Sequence, residues 1–133
     1  MPPAMKRKGS ALQPRAGARS PCPIATALDI LGDKWTLVVL RDLFMGACRY
    51  SAFLASPERI PTNILADRLK RLVAEGLAEK RPYHPRPVRY EYRLTDKGRR
   101  LLPVLQELCR WTNRFYSESW VPPERFMKRR IRN

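Results

Sequence analysis

One histidine, His84, and three cysteines at irregular spacing leave this chain little material for metal chemistry. Cys22, Cys48 and Cys109 form no C-x-x-C pair, so neither a zinc site nor a disulfide scaffold is expected, and no metal or cofactor is assigned. Unpaired thiols of this kind fit the reducing cytosol. No serine, histidine and acid arrangement suits hydrolysis, and no glycine-rich phosphate loop is present, so an enzyme is not expected. No apolar run approaches the ~18 residues of a membrane helix, which argues against membrane insertion. The first 20 residues are basic but lead into no apolar stretch, unlike a secretory signal. Acids are also scarce, with 12 Asp and Glu against 27 Lys and Arg, a net charge of +15.

An excess of that size points to a polyanionic partner, and its distribution is uneven. Residues 1–20 carry five bases and no acid, whereas residues 21–58 are close to neutral. Residues 59–100 hold twelve bases against five acids; residues 101–120 balance, and residues 121–133 add five bases to one acid. One strongly basic segment inside a neutral body is an electrostatic footprint rather than a uniform coating. The expected organisation is a disordered basic arm over residues 1–20, one domain over 21–120, and a basic tail over 121–133 in which Phe126, Met127 and Ile131 are available to dock.

Within the body, Ile24, Ala27, Leu28 and Leu31 make a helical stripe that stops at Gly32. Trp35 to Phe44 is apolar nearly all round, the pattern of a helix buried on most sides. Ser51 to Ala55 predicts a short third helix, with Ser51 as a possible N-cap. From Thr62, an amphipathic helix places Leu65, Leu69, Leu72 and Val73 on one face and ends at Gly76, in the position that follows a C-cap. Its opposite face collects Asn63, Asp67, Lys70, Arg71 and Ala74, with Arg68 at the boundary. Leu77 to Tyr83 and Val88 to Leu94 then read as strands around a four-residue tip, His84-Pro85-Arg86-Pro87. A last long helix runs from Thr95-Asp96 to about Tyr116, kinked near Pro103. This order predicts a mainly α fold with a small β-hairpin wing, a winged helix-turn-helix. Its helix from Thr62 would suit a DNA major groove, with the hairpin over residues 78–94 on the flanking minor groove or backbone.

The residues also carry a family pattern. It runs through Cys22-Pro23, Ala27-Leu28-Asp29, Gly32-Asp33-Lys34-Trp35-Thr36-Leu37, Leu40-Arg41-Asp42-Leu43, Gly46, Arg49-Tyr50 and Phe53. It continues with Ile60 through Leu69, Gly76-Leu77, Tyr90 through Gly98, Leu102-Pro103-Val104-Leu105 and Trp111. In this pattern the chain resembles the HxlR-type transcriptional regulators, a winged-helix group allied to the MarR-type ones, and the terminal arms lie outside the match. The resemblance implies a prokaryotic, homodimeric, sequence-specific DNA-binding repressor or activator without enzymatic activity, located in the cytoplasm on the nucleoid. It implies dimerisation through the N- and C-terminal helices, for which Leu101, Leu105, Leu108, Trp111 and Phe115 are the candidate stripe.

The candidate DNA-binding residues are Arg49, Thr62, Asn63, Asp67, Arg68, Lys70, Arg71, Arg86 and Arg89. Asn63 suits a bidentate contact to adenine, and Thr62 is either a base-edge reader or simply the helix N-cap. Asp67 either accepts from a cytosine amino group or orients Lys70 or Arg71. Lys70, Arg71 and Arg68 suit phosphates. Arg86 and Arg89, on a wing stiffened by Pro85 and Pro87, suit a narrow minor groove read by shape. Arg49 resembles the family's backbone-contact position, against a plain surface ion pair. Cys22 stands at the start of the first helix, where a thiol is made more acidic, and several family members sense oxidants through this position; the alternative is an inert residue in the dimer seam. Cys48 is a possible partner across the dimer, and Cys109 is expected in the core. The expected partner is a pseudo-palindromic double-stranded DNA, with any small-molecule effector unassigned. The rival reading is a non-specific RNA-binding or architectural protein that uses the same fold.

Overall fold

The computed structural model describes residues 15–131. The greater part of the basic arm expected over residues 1–20 therefore lies outside the described residues, as do residues 132 and 133. Three helices open the fold: α1 (Pro23–Leu31), α2 (Thr36–Phe44) and α3 (Tyr50–Leu54). They are followed by α4 (Thr62–Ala74), an antiparallel hairpin of β1 (Ala78–Pro85) and β2 (Val88–Leu94), and then α5 (Asp96–Arg99), α6 (Leu102–Phe115) and α7 (Glu124–Met127). This is the winged helix-turn-helix that the element order predicts.

The core forms where α2, α3, α4 and α6 present their apolar faces to one another. Leu40, Phe53, Leu65 and Leu69 are fully enclosed, with Val39, Leu72 and Leu102 beside them. In α4 the expected stripe of Leu65, Leu69 and Leu72 is buried. Val73 is half out of it, because at 100° per residue it sits about 80° round from Leu65 and so falls on the margin. The helix ends at Glu75 and the chain reverses through Gly76 at φ +74°, a conformation a Cβ would disfavour.

Several boundaries move for identifiable reasons. Arg49, not Ser51, occupies the N-cap of α3, and no side chain caps that helix. The hairpin stays paired out to Pro85 and Val88, so the tip is the two residues Arg86 and Pro87, with a register slip between Pro82 and His84. The alternation of β2 holds only at its base. Tyr92 is buried, but Tyr90 and Val88 are exposed because the outer half of the hairpin projects beyond the body. The expected single last helix is two: α5 ends at Arg99 and α6 restarts with Pro103 in its first turn, where a missing N–H costs nothing. Gly98 holds α5 tight against the loop after α4, since a Cβ there would lie 2.1 Å from the Leu77 carbonyl oxygen.

The segment expected as a tail packs back on the body. Phe126 of α7 is buried, and the buried Gln106 amide of α6 donates to the carbonyls of Phe126 (2.9 Å) and Arg129 (2.8 Å). Arg129 in turn donates to the Phe44 carbonyl at 2.9 Å. A buried amide needs acceptors, and the chain end supplies them. Gln106→Leu strips those carbonyls of their donor, so it is expected to loosen this segment by about 1–2 kcal/mol while the core stays intact. Mapping tryptic cuts by mass spectrometry checks it: cleavage after Lys128 and Arg129 should accelerate several-fold. Unchanged cleavage would mean that Phe126 and the Arg129–Phe44 bond anchor the segment without Gln106.

Candidate nucleic-acid interface

The N-terminal half of α4 is built to stand out from the body. Pro61 occupies its N-cap in extended geometry, so Thr62 is the first helical residue and not the cap. Thr62, Asn63, Ala66, Asp67 and Lys70 are all exposed, opposite the buried leucines. Two polar networks fix this helix in place.

The first lies at the turn before α2. Asp33 accepts from the backbone N–H groups of Trp35 (2.8 Å) and Thr36 (3.0 Å) and from the Thr36 hydroxyl, which closes the start of α2. The same carboxylate accepts from Arg68 Nε at 2.9 Å, across to α4. Burial alone would raise the Asp33 carboxyl, but the hydrogen bonds from Thr36, Trp35 and Arg68 outweigh it and hold it well below the usual carboxylate range. Arg71 Nη1 lies 3.8 Å from Asp33 as well.

The second network secures the turn that leads into α4. Arg41 of α2 donates to Glu58 through both terminal nitrogens (2.6 and 2.8 Å), to Asp42 (3.0 and 2.8 Å) and to the Ser56 hydroxyl (2.7 Å). The Ser56 hydroxyl donates a hydrogen bond to Asp42 at 2.8 Å. The bidentate bond from Arg41 lowers the Glu58 carboxyl to about 2 against the opposing effect of burial. The turn then passes through Arg59 at φ +54°, a left-handed conformation unusual for a side chain larger than glycine.

These contacts revise two expected roles. Arg68 is mostly enclosed between Asp33 and Asp67, so it ties α4 to the α1–α2 turn and is not placed to reach phosphate. Asp67 pairs with Arg68, its immediate neighbour, and not with Lys70 or Arg71. Arg49 lies against the wing: its guanidinium stacks on Tyr83, 3.7 Å from the ring centroid, and comes within 3.9 Å of Glu91 while half of the side chain stays exposed. Arg86 and Arg89 are exposed at the end of the hairpin with no ion pair among the described residues, and Lys70 is likewise unpaired. Thr62, Asn63 and Lys70 on α4, and Arg86 and Arg89 on the wing, are thus exposed and unpaired among the described residues, while Arg71 is part-exposed beside Asp33. Sequence reasoning gave Asp33 and Arg41 no role, although both lie inside its family pattern. Acid–base partners 35 and 17 residues apart leave no local signal.

The expected dimer stripe separates into two faces. Leu105 is buried in the chain's own core and Leu101 packs against it, whereas Leu108, Trp111 and Phe115 project outward together with Val104. Ile24 and Leu28 of α1 are also exposed apolar residues. Cys22 is the half-buried N-cap of α1, Cys48 is half-buried with a free thiol, and Cys109 packs against the core, where burial pushes its thiol up. No helix among the described residues is long and apolar enough to cross a membrane.

Residues 30–120 match the family model described as HxlR-like helix-turn-helix. An uncharacterised HTH-type transcriptional regulator of Mycobacterium bovis, Mb3122, is 38% identical over 100 residues, which is 75% of this chain and 63% of that protein. The chain thus spans less than two thirds of the length of that relative. Among solved structures, PA1607, described as a putative transcription factor, superposes with a TM-score of 0.71 at 37% identity over 81% of this chain and 77% of its own. The redox regulator HypR in its reduced form superposes with a TM-score of 0.65 at 31% identity, covering 74% of this chain and all of its own.

Proposed function

This chain belongs to the HxlR-like helix-turn-helix family, and from that premise we propose that it is a homodimeric transcriptional regulator that reads a pseudo-palindromic double-stranded DNA. The observation that carries the reading is the free face of α4: Thr62, Asn63 and Lys70 exposed on a helix tied to the turn before α2 by Asp33–Arg68, and entered through a turn held by Arg41–Glu58. A helix held rigidly by its buried side can bring short polar residues to base edges in a major groove. Asn63 is the base reader. Lys70 and Arg71 hold phosphates, and Arg86 and Arg89 lie in a flanking minor groove. The half-sites stand about one helical turn apart.

Asn63→Ala is expected to cost about 1–3 kcal/mol on the cognate duplex and to relax one base position, whereas Arg71→Ala weakens cognate and scrambled duplexes alike. Fluorescence anisotropy on duplexes from the upstream region of the chain's own gene measures both, at fixed salt, because six to ten phosphate contacts change affinity by ~10³–10⁵ between 50 and 200 mM. Equal losses on both duplexes for Asn63→Ala would overturn base reading and favour a non-specific nucleic-acid binder.

Cys22 is the proposed oxidant sensor. It is a free, half-buried thiol at the start of α1, and the neighbouring HypR is itself a redox regulator. Diamide treatment is expected to lower cognate binding at least about tenfold, reversibly with added thiol, in the native chain but not in Cys22→Ser. A Cys22→Ser variant as sensitive as the native chain would move sensing to another cysteine.

A further inference from the structure

A cavity of about 530 Å³ opens between α2, α6 and the segment before α7, on the side of α2 that carries Arg41. Its walls are largely apolar: Val38 and Met45 from α2 and its end, Leu108 from α6, and Trp120, Pro122 and Phe126 from the C-terminal segment. A volume of that size, with apolar walls and a few polar groups, is typical of small-molecule sites. Its two charged lining groups, Arg41 and Glu58, neutralise each other through the bidentate bond already described. Neither is left over to receive an ionic ligand, and an ion would have to displace the other partner.

The polar contribution comes from Thr112 and Asn113 of α6. Asn113 spends its amide N–H groups on the Ser119 hydroxyl (2.8 Å) and the Trp120 carbonyl (3.1 Å), which holds the Trp120 segment over the cavity. Its side-chain carbonyl accepts no hydrogen bond among the described residues and remains open to a donor. The Cys109 thiol on the same wall keeps its proton, because burial pushes it up.

The position of the cavity matters as much as its chemistry. Glu58 lies on its wall and is also part of the turn that leads through Arg59 and Pro61 into α4. A ligand that presses on the Arg41–Glu58 pair therefore acts on the same bonds that set where α4 begins.

We propose that this cavity binds a small, uncharged, mainly aromatic ligand with one hydrogen-bond donor, and that its occupancy is passed through Arg41 and Glu58 to the turn before α4. The regulatory consequence rests on the reading of α4 as the DNA-contacting helix, but the site and its coupling to the turn do not. The coupling is reciprocal: whatever ligand shifts that turn binds with an affinity that depends on how the turn is held.

The test needs no DNA, so its failure is separate from failure of the DNA reading. N-phenyl-1-naphthylamine, an uncharged amine that brightens in apolar surroundings, is titrated into the full-length chain. One saturable site per chain is expected. Thr112→Trp and Val38→Phe fill the cavity from opposite walls, and each is expected to weaken the probe at least about tenfold, which is 1.4 kcal/mol. Circular dichroism identifies whichever variant folds. Hydrogen exchange is then followed at residues 55–59, where the Ser56 N–H donates to Phe53 and the Arg59 N–H to Ser56 in the resting turn. Saturating probe is expected to change their exchange rates in the native chain, while Glu58→Gln binds probe with a diminished response. Absence of saturable binding overturns the site. Undiminished binding in a folded filled variant places the probe elsewhere, for example on the outward face of α6, and also overturns it. Binding that leaves the turn's exchange unchanged overturns the coupling.

Discussion

Glutamate at both Leu108 and Trp111 is expected to leave the chain monomeric and to weaken its hold on a two-half-site duplex at least about a hundredfold. Single exposed apolar residues are ordinary on any protein surface. Four of them at helical spacing along α6 are different: Val104, Leu108, Trp111 and Phe115 form one face, with Trp111 57% and Phe115 62% exposed. A continuous apolar patch of that kind marks an interface. In a two-fold dimer each substitution occurs twice, so four carboxylates would enter one seam and lose their water without partners. The fold is expected to survive, because both side chains are about half exposed; Leu105→Glu, at a position 6% exposed, should unfold the chain instead. Sedimentation equilibrium gives the mass and circular dichroism the helix content. A double variant of unchanged dimeric mass would place the seam elsewhere. A monomer with native affinity would show that one subunit suffices for DNA.

Local periodicity makes α4 legible in the sequence. Leu65, Leu69 and Leu72 repeat at the helical interval, Gly76 stops the helix, and the exposed face follows by rotation. The same reasoning merged the two faces of α6, because positions 101, 104, 105, 108, 111 and 115 recur at about 3.5 residues whether one surface or two is being counted. On one side of Leu105 the helix turns toward Leu102, Gln106 and Cys109, which face the core, and on the other toward Leu108, Phe115 and Trp111, at about 60°, 80° and 120°. Only tertiary burial separates them. What could not be read at all was non-local. Arg68 passes as a solvated cation until Asp33 is found beside it, and Gln106 as a surface amide until the chain end returns to it 20 residues later. The positions proposed to read bases are legible because they fall on the polar face of an amphipathic helix, and the residues that hold that helix are not, because each needs a partner from another element.

That asymmetry makes Asp33 the polar residue whose loss should be felt most in stability. Asp33→Ala removes the acceptor for two backbone N–H groups at the start of α2, a change that costs about 0.5–2 kcal/mol at helix N-termini. It also leaves the Arg68 guanidinium, only 17% exposed, with Asp67 alone. Breaking a hydrogen-bonded ion pair on one side adds a comparable penalty, so a total of about 1–4 kcal/mol is expected. That loss would lower the midpoint of thermal unfolding by roughly 10 °C for a chain of this size. Asp33→Asn keeps an oxygen for the helix start and gives up the charge, so it should lose about half as much. The pH dependence separates the two contributions. Because hydrogen bonds hold the folded Asp33 carboxyl well below its unfolded value, the unfolded chain takes up the proton first as pH falls. The charged contribution is therefore complete above about pH 5 and declines as pH drops below the ordinary Asp value of ~3.9. Urea midpoints of the native chain and Asp33→Asn should differ by a constant amount from pH 7 to pH 5 and converge toward pH 3. A gap that stays the same width down to pH 3 would mean that the charge of the Asp33 carboxylate contributes nothing and that its hydrogen-bond geometry accounts for the whole difference.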